Sequence, residues 1–262
     1  MQEFDRTGRA RSVAGLASDQ DPGAGEAGSL LFANALFREM EPDAAASLMT
    51  AGRRVLLRAG QTLWSPGTPV DTVCFPLNGA IAGLAVDIDG GAAQVQCTGA
   101  EGAVGLIEAL AAAPLAFEHR ALVDTEAWLV PTESVRALMR ARPQAAEVLL
   151  RHMARLYDDA RRVGACAARH SLRARLADCL LAYQEKTALA RLPLTQETLS
   201  AILGANRTTV TALAIGLSDA GLTRTGRGWI SVVDAERLDR IACGCRNGAP
   251  AATVRNAPPK LA

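Results

Sequence analysis

The sequence predicts an α+β chain: an N-terminal antiparallel β-roll of the jelly-roll kind, a long helix suited to self-pairing, and a C-terminal winged helix-turn-helix. Three observations predict it. Short β-type runs separated by Gly, Pro and Asn fill residues 53 to 131. Apolar residues then recur at alternating spacings of three and four from Ala146 to Ala167. Finally, two short helical patterns flank Gly204 and lead into a hairpin punctuated by glycine.

Residues 1–28 are rich in Gly, Ala, Asp and Ser without apolar periodicity, and predict a disordered lead. Leu31, Leu36, Phe37, Met40 and Leu48 then suggest a helical stretch, restarted at Glu41-Pro42-Asp43 because proline is tolerated in a first turn. The β-type runs include Arg54 to Arg58, Thr72 to Phe75, Ala80 to Ile88, Ala93 to Thr98, Arg120 to Val123 and Ala127 to Val130. Asp89-Gly90 between two alternating runs is a hairpin signal. Many short strands at such spacing mean an antiparallel sandwich or roll.

Helical periodicity takes over from Thr132 to Lys186. Ala146, Leu149, Met153, Leu156, Ala160, Val163 and Ala167 form a narrow seam flanked by Arg151, Arg155, Asp158, Asp159, Arg161 and Arg162. A narrow apolar stripe bordered by charge favours pairing with a second copy over packing within one domain. Leu149, Met153, Leu156, Ala160 and Val163 are the expected dimer contacts. A further helix follows from Leu172 to Tyr183.

The segment LPLTQETLSAILGANRTTVTALAIGLSDAGLTRTGRGWISVV, residues 192 to 233, carries the functional signal. Thr195 is a good N-cap with Glu197 in the first turn, and Leu199, Ile202 and Leu203 mark a buried face. Gly204 suits a sharp turn, Asn206 caps a second helix, and Val210, Leu213 and Leu217 are its inner residues. That leaves Arg207, Thr208 and Thr211 on the outer face near the helix start, the end that enters the major groove in this motif. An arginine there forks onto guanine, and threonines meet a thymine methyl or a phosphate. Thr195, Gln196 and Thr209 suit phosphate oxygens, which set register, and Asn206 at the helix start is counted with them among the expected DNA-binding residues. Gly221, Gly226 and Gly228 with Trp229 to Val233 predict a β-wing. From 191 to 231, Arg191, Arg207, Arg224 and Arg227 outnumber Glu197 and Asp219.

Composition excludes more than it selects. With 28 basic against 27 acidic residues, a nucleic-acid surface must come from local clustering. No apolar run reaches the length of a membrane span, since Ala103 to Phe117 is broken by Glu108 and Pro114, and no apolar signal core opens the chain; a cytoplasmic protein without membrane contact is expected. The six cysteines match no zinc spacing, so reduced, buried thiols and no metal are expected. Cys243 and Cys245 leave open a redox or metal site completed by groups elsewhere, against a packed C-terminal helix. No Walker loop, G-x-S-x-G or H-E-x-x-H motif occurs, so neither an enzyme nor catalytic residues are expected.

The order of β-roll, pairing helix and winged helix-turn-helix resembles the cyclic-AMP receptor/fumarate-nitrate regulator (CRP/FNR) superfamily, over roughly residues 30 to 245. The resemblance is strongest in LTQETLSAILGANRTTVTALAIGLSDAGL. It is weaker in RAGQTLWSPGTPV, Gly79 and Gly102 to Leu106, and the tail through Cys243-Gly244-Cys245 is similar to one branch of the family. It implies a cyclic-nucleotide-binding-like roll at 29–142, a dimerisation helix at 143–170, a DNA-binding domain at 171–245 and a flexible tail at 246–262. It also implies a transcription regulator that binds double-stranded DNA as a homodimer, often with a small effector between roll and helix, and in several members a contact with RNA polymerase.

The effector pocket implied by the resemblance comprises Ala103, Val104, His119, Arg120, Ala160 and Arg161. Cyclic-nucleotide binders carry a glutamate where Ala103 stands and an arginine where His119 stands, so cyclic AMP in its usual pose is not expected, and no cofactor is. The N-terminal cysteine cluster of the oxygen-sensing branch is missing, since residues 1 to 73 hold no cysteine. His119, His152 and His170 have no haem motif around them. A competing reading, a ligand sensor whose helix-turn-helix binds protein, would favour apolar residues where Arg207 and its polar neighbours stand.

Overall fold

The computed structural model describes residues 33–86 and 92–247. The predicted lead at 1–28, the Asp89-Gly90 turn and most of the tail lie outside the described residues. Helix α1 (Ala35–Glu39) starts at Asn34, whose side-chain oxygen accepts the Leu36 N–H at 2.9 Å. The same side chain donates to the carbonyls of Pro76 and Gly102, at 2.8 and 2.9 Å, which fixes the helix on the roll. Helix α2 (Pro42–Ala51) restarts at Pro42, as the sequence predicts.

Seven strands build the roll: β1 (Arg53–Leu57), β2 (Thr62–Trp64), β3 (Thr72–Pro76), β4 (Ile81–Val86), β5 (Ala92–Thr98), β6 (Glu118–Ala121) and β7 (Thr125–Pro131). Helix α3 (Leu106–Ala111) interrupts them. One sheet has the order β1-β7-β3 and the other β2-β6-β4-β5, with every pairing antiparallel. β2 and α3 escape the periodicity reading because each is too short to show a pattern.

Alternation along the strands sorts side chains into separate cores. Val55, Leu57, Cys74, Ile81, Ala127 and Leu129 point into the roll with Trp64, Val104 and Leu115. Val73, Phe75, Trp128 and Val130 point the other way, against α1, α2 and two further helices, α4 (Thr132–Ala141) and the start of α5 (Pro143–Arg169). Phe37 stacks on Phe75 with ring centroids 4.8 Å apart. Because both faces of β3 and β4 are covered, their burial is nearly continuous, unlike a half-solvated strand.

The third core belongs to the C-terminal half: α6 (Leu172–Thr187), α7 (Gln196–Leu203), α8 (Arg207–Asp219), β8 (Thr223–Gly226), β9 (Trp229–Val232) and α9 (Ala235–Ile241). Leu176, Leu180, Leu199, Val210, Leu217 and Ile230 meet there, joined by Ala80, Ala82, Leu84 and Leu122 from the outside of the roll. The C-terminal half is thus packed directly on β4, and Tyr183 hydrogen-bonds Gln94 while Lys186 pairs with Glu101 across the same junction. Among the described residues no helix is long and apolar enough to cross a membrane.

Candidate nucleic-acid interface

Local capping chemistry sets the geometry of α7 and α8. Thr195 Oγ1 accepts the Thr198 N–H at 3.0 Å and starts α7. Gly204 ends it in the left-handed region at φ 57°, a conformation that costs a side-chain-bearing residue about 1–2 kcal/mol. Asn206 Oδ1 accepts the Thr208 N–H at 2.9 Å and the Thr208 hydroxyl at 2.8 Å, which starts α8 within two residues of that turn. Arg175 donates to the Leu203 carbonyl at 2.7 Å, locking α7 to α6.

α8 buries Val210, Ala214 and Leu217, leaving its opposite face open. Arg207, Thr208 and Thr209 are exposed in its first turn, and Arg207 has no ion pair among the described residues. The wing follows: β8 and β9 pair from Thr223–Val232 to Gly226–Trp229, with Gly228 at φ 79° in the turn. Leu192 adds a short third strand through two hydrogen bonds with Ile230, of 2.8 and 3.0 Å. Arg224 and Arg227 are exposed on the wing, and Arg191 lies over the Trp229 ring at 4.6 Å.

Residues 174–241 match the Crp-like helix-turn-helix domain, and residues 54–142 match the cyclic nucleotide-binding domain. The chain belongs to the CRP/FNR superfamily of transcription regulators. A CRP/FNR-family transcriptional regulator from Thermus thermophilus is 25% identical, with 72% of this chain and 98% of that one covered and a TM-score of 0.62. A Crp/Fnr-family regulator from Eubacterium rectale (18% identical, 80% and 98% covered, TM-score 0.66) shares the fold. So does FixK2 from Bradyrhizobium japonicum (19%, 73% and 97%, TM-score 0.63). No curated protein matches the sequence.

Within this CRP/FNR chain the sequence-predicted DNA contacts divide into two groups. Arg207, Thr208, Thr209 and Thr211 lie together at the start of α8. The Thr211 hydroxyl donates back to the Arg207 carbonyl at 2.8 Å, and the capping oxygens of Thr195 and Asn206 are already occupied. Gln196 departs from expectation: it is half-buried, and its amide oxygen is turned into the fold rather than toward solvent.

The expected effector residues fall into a buried and an exposed group. Ala103, Val104 and His119 are buried. Arg120 is exposed and paired with Glu118, because neighbours on a strand face opposite ways. Ala160 and Arg161 are exposed on α5, where Arg161 lies 5.3 Å from the Tyr157 ring centre. Burial holds the His119 imidazole near pKa 4, hence neutral.

A residue not assigned to a site from the sequence does bridge roll and helix. His152 of α5 is buried, and its Nε2 accepts the Ala103 N–H at 3.0 Å. Its position six residues after Ala146, off the apolar seam, was the available signal.

The seam also needs correction at one end. Leu149 is fully buried in its own chain, packed with Val148 and the α1–α2 helices, so it offers no dimer contact. Met153 is partly packed against the same core. Leu150, Tyr157 and Val163 are instead 53, 65 and 48% exposed, and with Met153 and Ala160 the first two keep the three-four spacing. Of the six thiols expected to be buried, Cys74 is fully so, whereas Cys97, Cys166, Cys179, Cys243 and Cys245 are partly exposed; burial pushes the Cys74 and Cys179 thiols well above the ordinary value.

Proposed function

We propose that this regulator binds double-stranded DNA as a homodimer and reads a roughly palindromic operator with the start of α8. The observation that carries this reading is the exposed Arg207 at the capped end of α8, without an ion pair among the described residues and next to exposed threonines, in a domain whose wing also exposes Arg224 and Arg227. An arginine held at a helix start can make a bidentate contact with guanine, while Arg224 and Arg227 supply attraction to phosphate without sequence content. Selection of bound duplexes from random DNA tests binding, symmetry and half-site spacing together. Arg207→Ala is expected to weaken the selected site by about 1–3 kcal/mol and to relax preference at one base pair per half-site. A uniform loss over all duplexes would argue against base reading.

The second copy is expected to lie along α5. Leu150 and Tyr157 leave an apolar row open on the 27-residue α5 with Met153 and Ala160 at three-four spacing, and the exposed Val163 lies three residues beyond Ala160, the signature of an uncovered pairing face. Val163→Asp buries no charge in the single chain, so it should leave folding intact and give monomers by analytical ultracentrifugation. A dimer that survives it at micromolar concentration removes α5 from the interface.

A further inference from the structure

Four side chains with metal-binding atoms converge where the long helix ends. Cys166 lies in the last turn of α5 and His170, four residues on, is the C-cap whose N–H bonds the Cys166 carbonyl. Cys243 and Cys245 follow α9 and lie 77 and 75 positions from Cys166 and His170 respectively. Their ligand atoms are all within 4.8 Å of one another. Cys166 Sγ stands 3.5 Å from Cys243 Sγ, and Cys245 Sγ 3.4 Å from His170 Nδ1. Zinc bonds of about 2.3 Å to sulfur and 2.0–2.1 Å to nitrogen give tetrahedral edges of about 3.6–3.8 Å.

We propose that Cys166, His170, Cys243 and Cys245 form a Cys3His site for a structural zinc ion. Three sulfurs and one imidazole nitrogen match the tetrahedral preference of zinc and not the oxygen-rich shells of magnesium or calcium.

The C-x-C segment is shaped for this role by contacts that do not involve the four ligand atoms. Asp178 of α6 accepts the Gly244 N–H at 3.1 Å and the Arg246 N–H at 2.9 Å, and the Arg246 guanidinium at 2.9 Å. The Cys243 N–H is held by the Ala174 carbonyl. Gly244, between the two cysteines, takes φ 72°, so the backbone turns both sulfurs toward α5 with little strain. A disulfide between Cys166 and Cys243 would use two of the four groups and leave the placement of Cys245 and His170 without a purpose. Oriented ligands on a fixed backbone are what a closed zinc site requires.

The ion would bridge the end of α5 to the end of the C-terminal half, across the His170–Ser171 junction. It would therefore fix the angle between the proposed pairing helix and the helix that carries Arg207. The site itself stands whether or not the chain binds DNA.

The test uses the full chain purified under reducing conditions without chelator. Elemental mass spectrometry should find about one zinc per chain, and replacement by cobalt should give the intense visible bands of a tetrahedral thiolate site. His170→Ala and Cys245→Ser should each lower bound zinc at least about tenfold, whereas Cys179→Ser, outside the cluster, should leave it unchanged. If Cys245→Ser does not fold, zinc titration of chelator-stripped wild-type chain gives the same answer through loss of thiols reactive to a disulfide reagent. The proposal is overturned if stripped protein takes up no zinc at micromolar concentration. It is equally overturned if purified chain carries iron with acid-labile sulfide, or if peptide mapping recovers a Cys166–Cys243 disulfide in place of the metal.

Discussion

Replacing Arg246 with alanine is expected to lower the unfolding free energy by about 3–5 kcal/mol, the range for removing one partner of a buried ion pair. Arg246 pairs with Asp178, Glu185 and Asp239, but only the Asp178 carboxylate is buried. The contacts to Glu185 and Asp239, both more than half exposed, add little, since such pairs contribute about 0–1 kcal/mol. Without the guanidinium, Asp178 keeps two backbone donors and loses its countercharge. Urea titration followed by circular dichroism measures the change. The double substitution Asp178→Asn/Arg246→Met should recover part of it, because the amide oxygen can still accept a backbone N–H while no stranded charge remains. A single-variant loss below about 1 kcal/mol would show that water reaches Asp178.

Acidification is expected to remove stabilisation on the order of 3 kcal/mol through His119 alone. The side chain is 2% exposed inside the roll, and burial lowers its pKa from 6.5 to about 4. The unfolded chain therefore binds the proton first as pH falls. The stabilisation is complete above about pH 6.5, declines between that value and about 4, and is gone below. Burial shifts His152 in the same direction. His119→Gln, polar but not titratable, should flatten the denaturation midpoint over this window relative to wild type. Equal slopes for the two proteins would sink the assignment.

Much of the helix-turn-helix was legible because its determinants are local. Thr195 and Asn206 cap helices through contacts with residues two or three positions on, and Gly204 answers to its own φ. The roll was legible as a set of strands, though β2 and α3 are shorter than the pattern that reveals them. Phase was harder. Leu149 and Leu150 are equally apolar, and only packing against α1 and α2 decides which of them the chain covers itself. His119 and Arg120, adjacent on β6, are buried and exposed respectively, the alternation that a strand imposes. The four converging metal-type ligands were invisible for a different reason. Neither Cys166-x3-His170 nor Cys243-x-Cys245 is a zinc pattern by itself, and only the packing of α6 and α9 brings the pairs together.

Strand β4 has a consequence for how the molecule responds to change. Ile81 belongs to the roll interior, while Ala80, Ala82 and Leu84 rest on the helices of the C-terminal half. One thin ribbon is thus a party wall between two rooms filled to crystalline density. Neither room can be refurnished alone: a bulkier tenant at Ile81 must lean on the neighbours that hold Leu199 and Val210 in place.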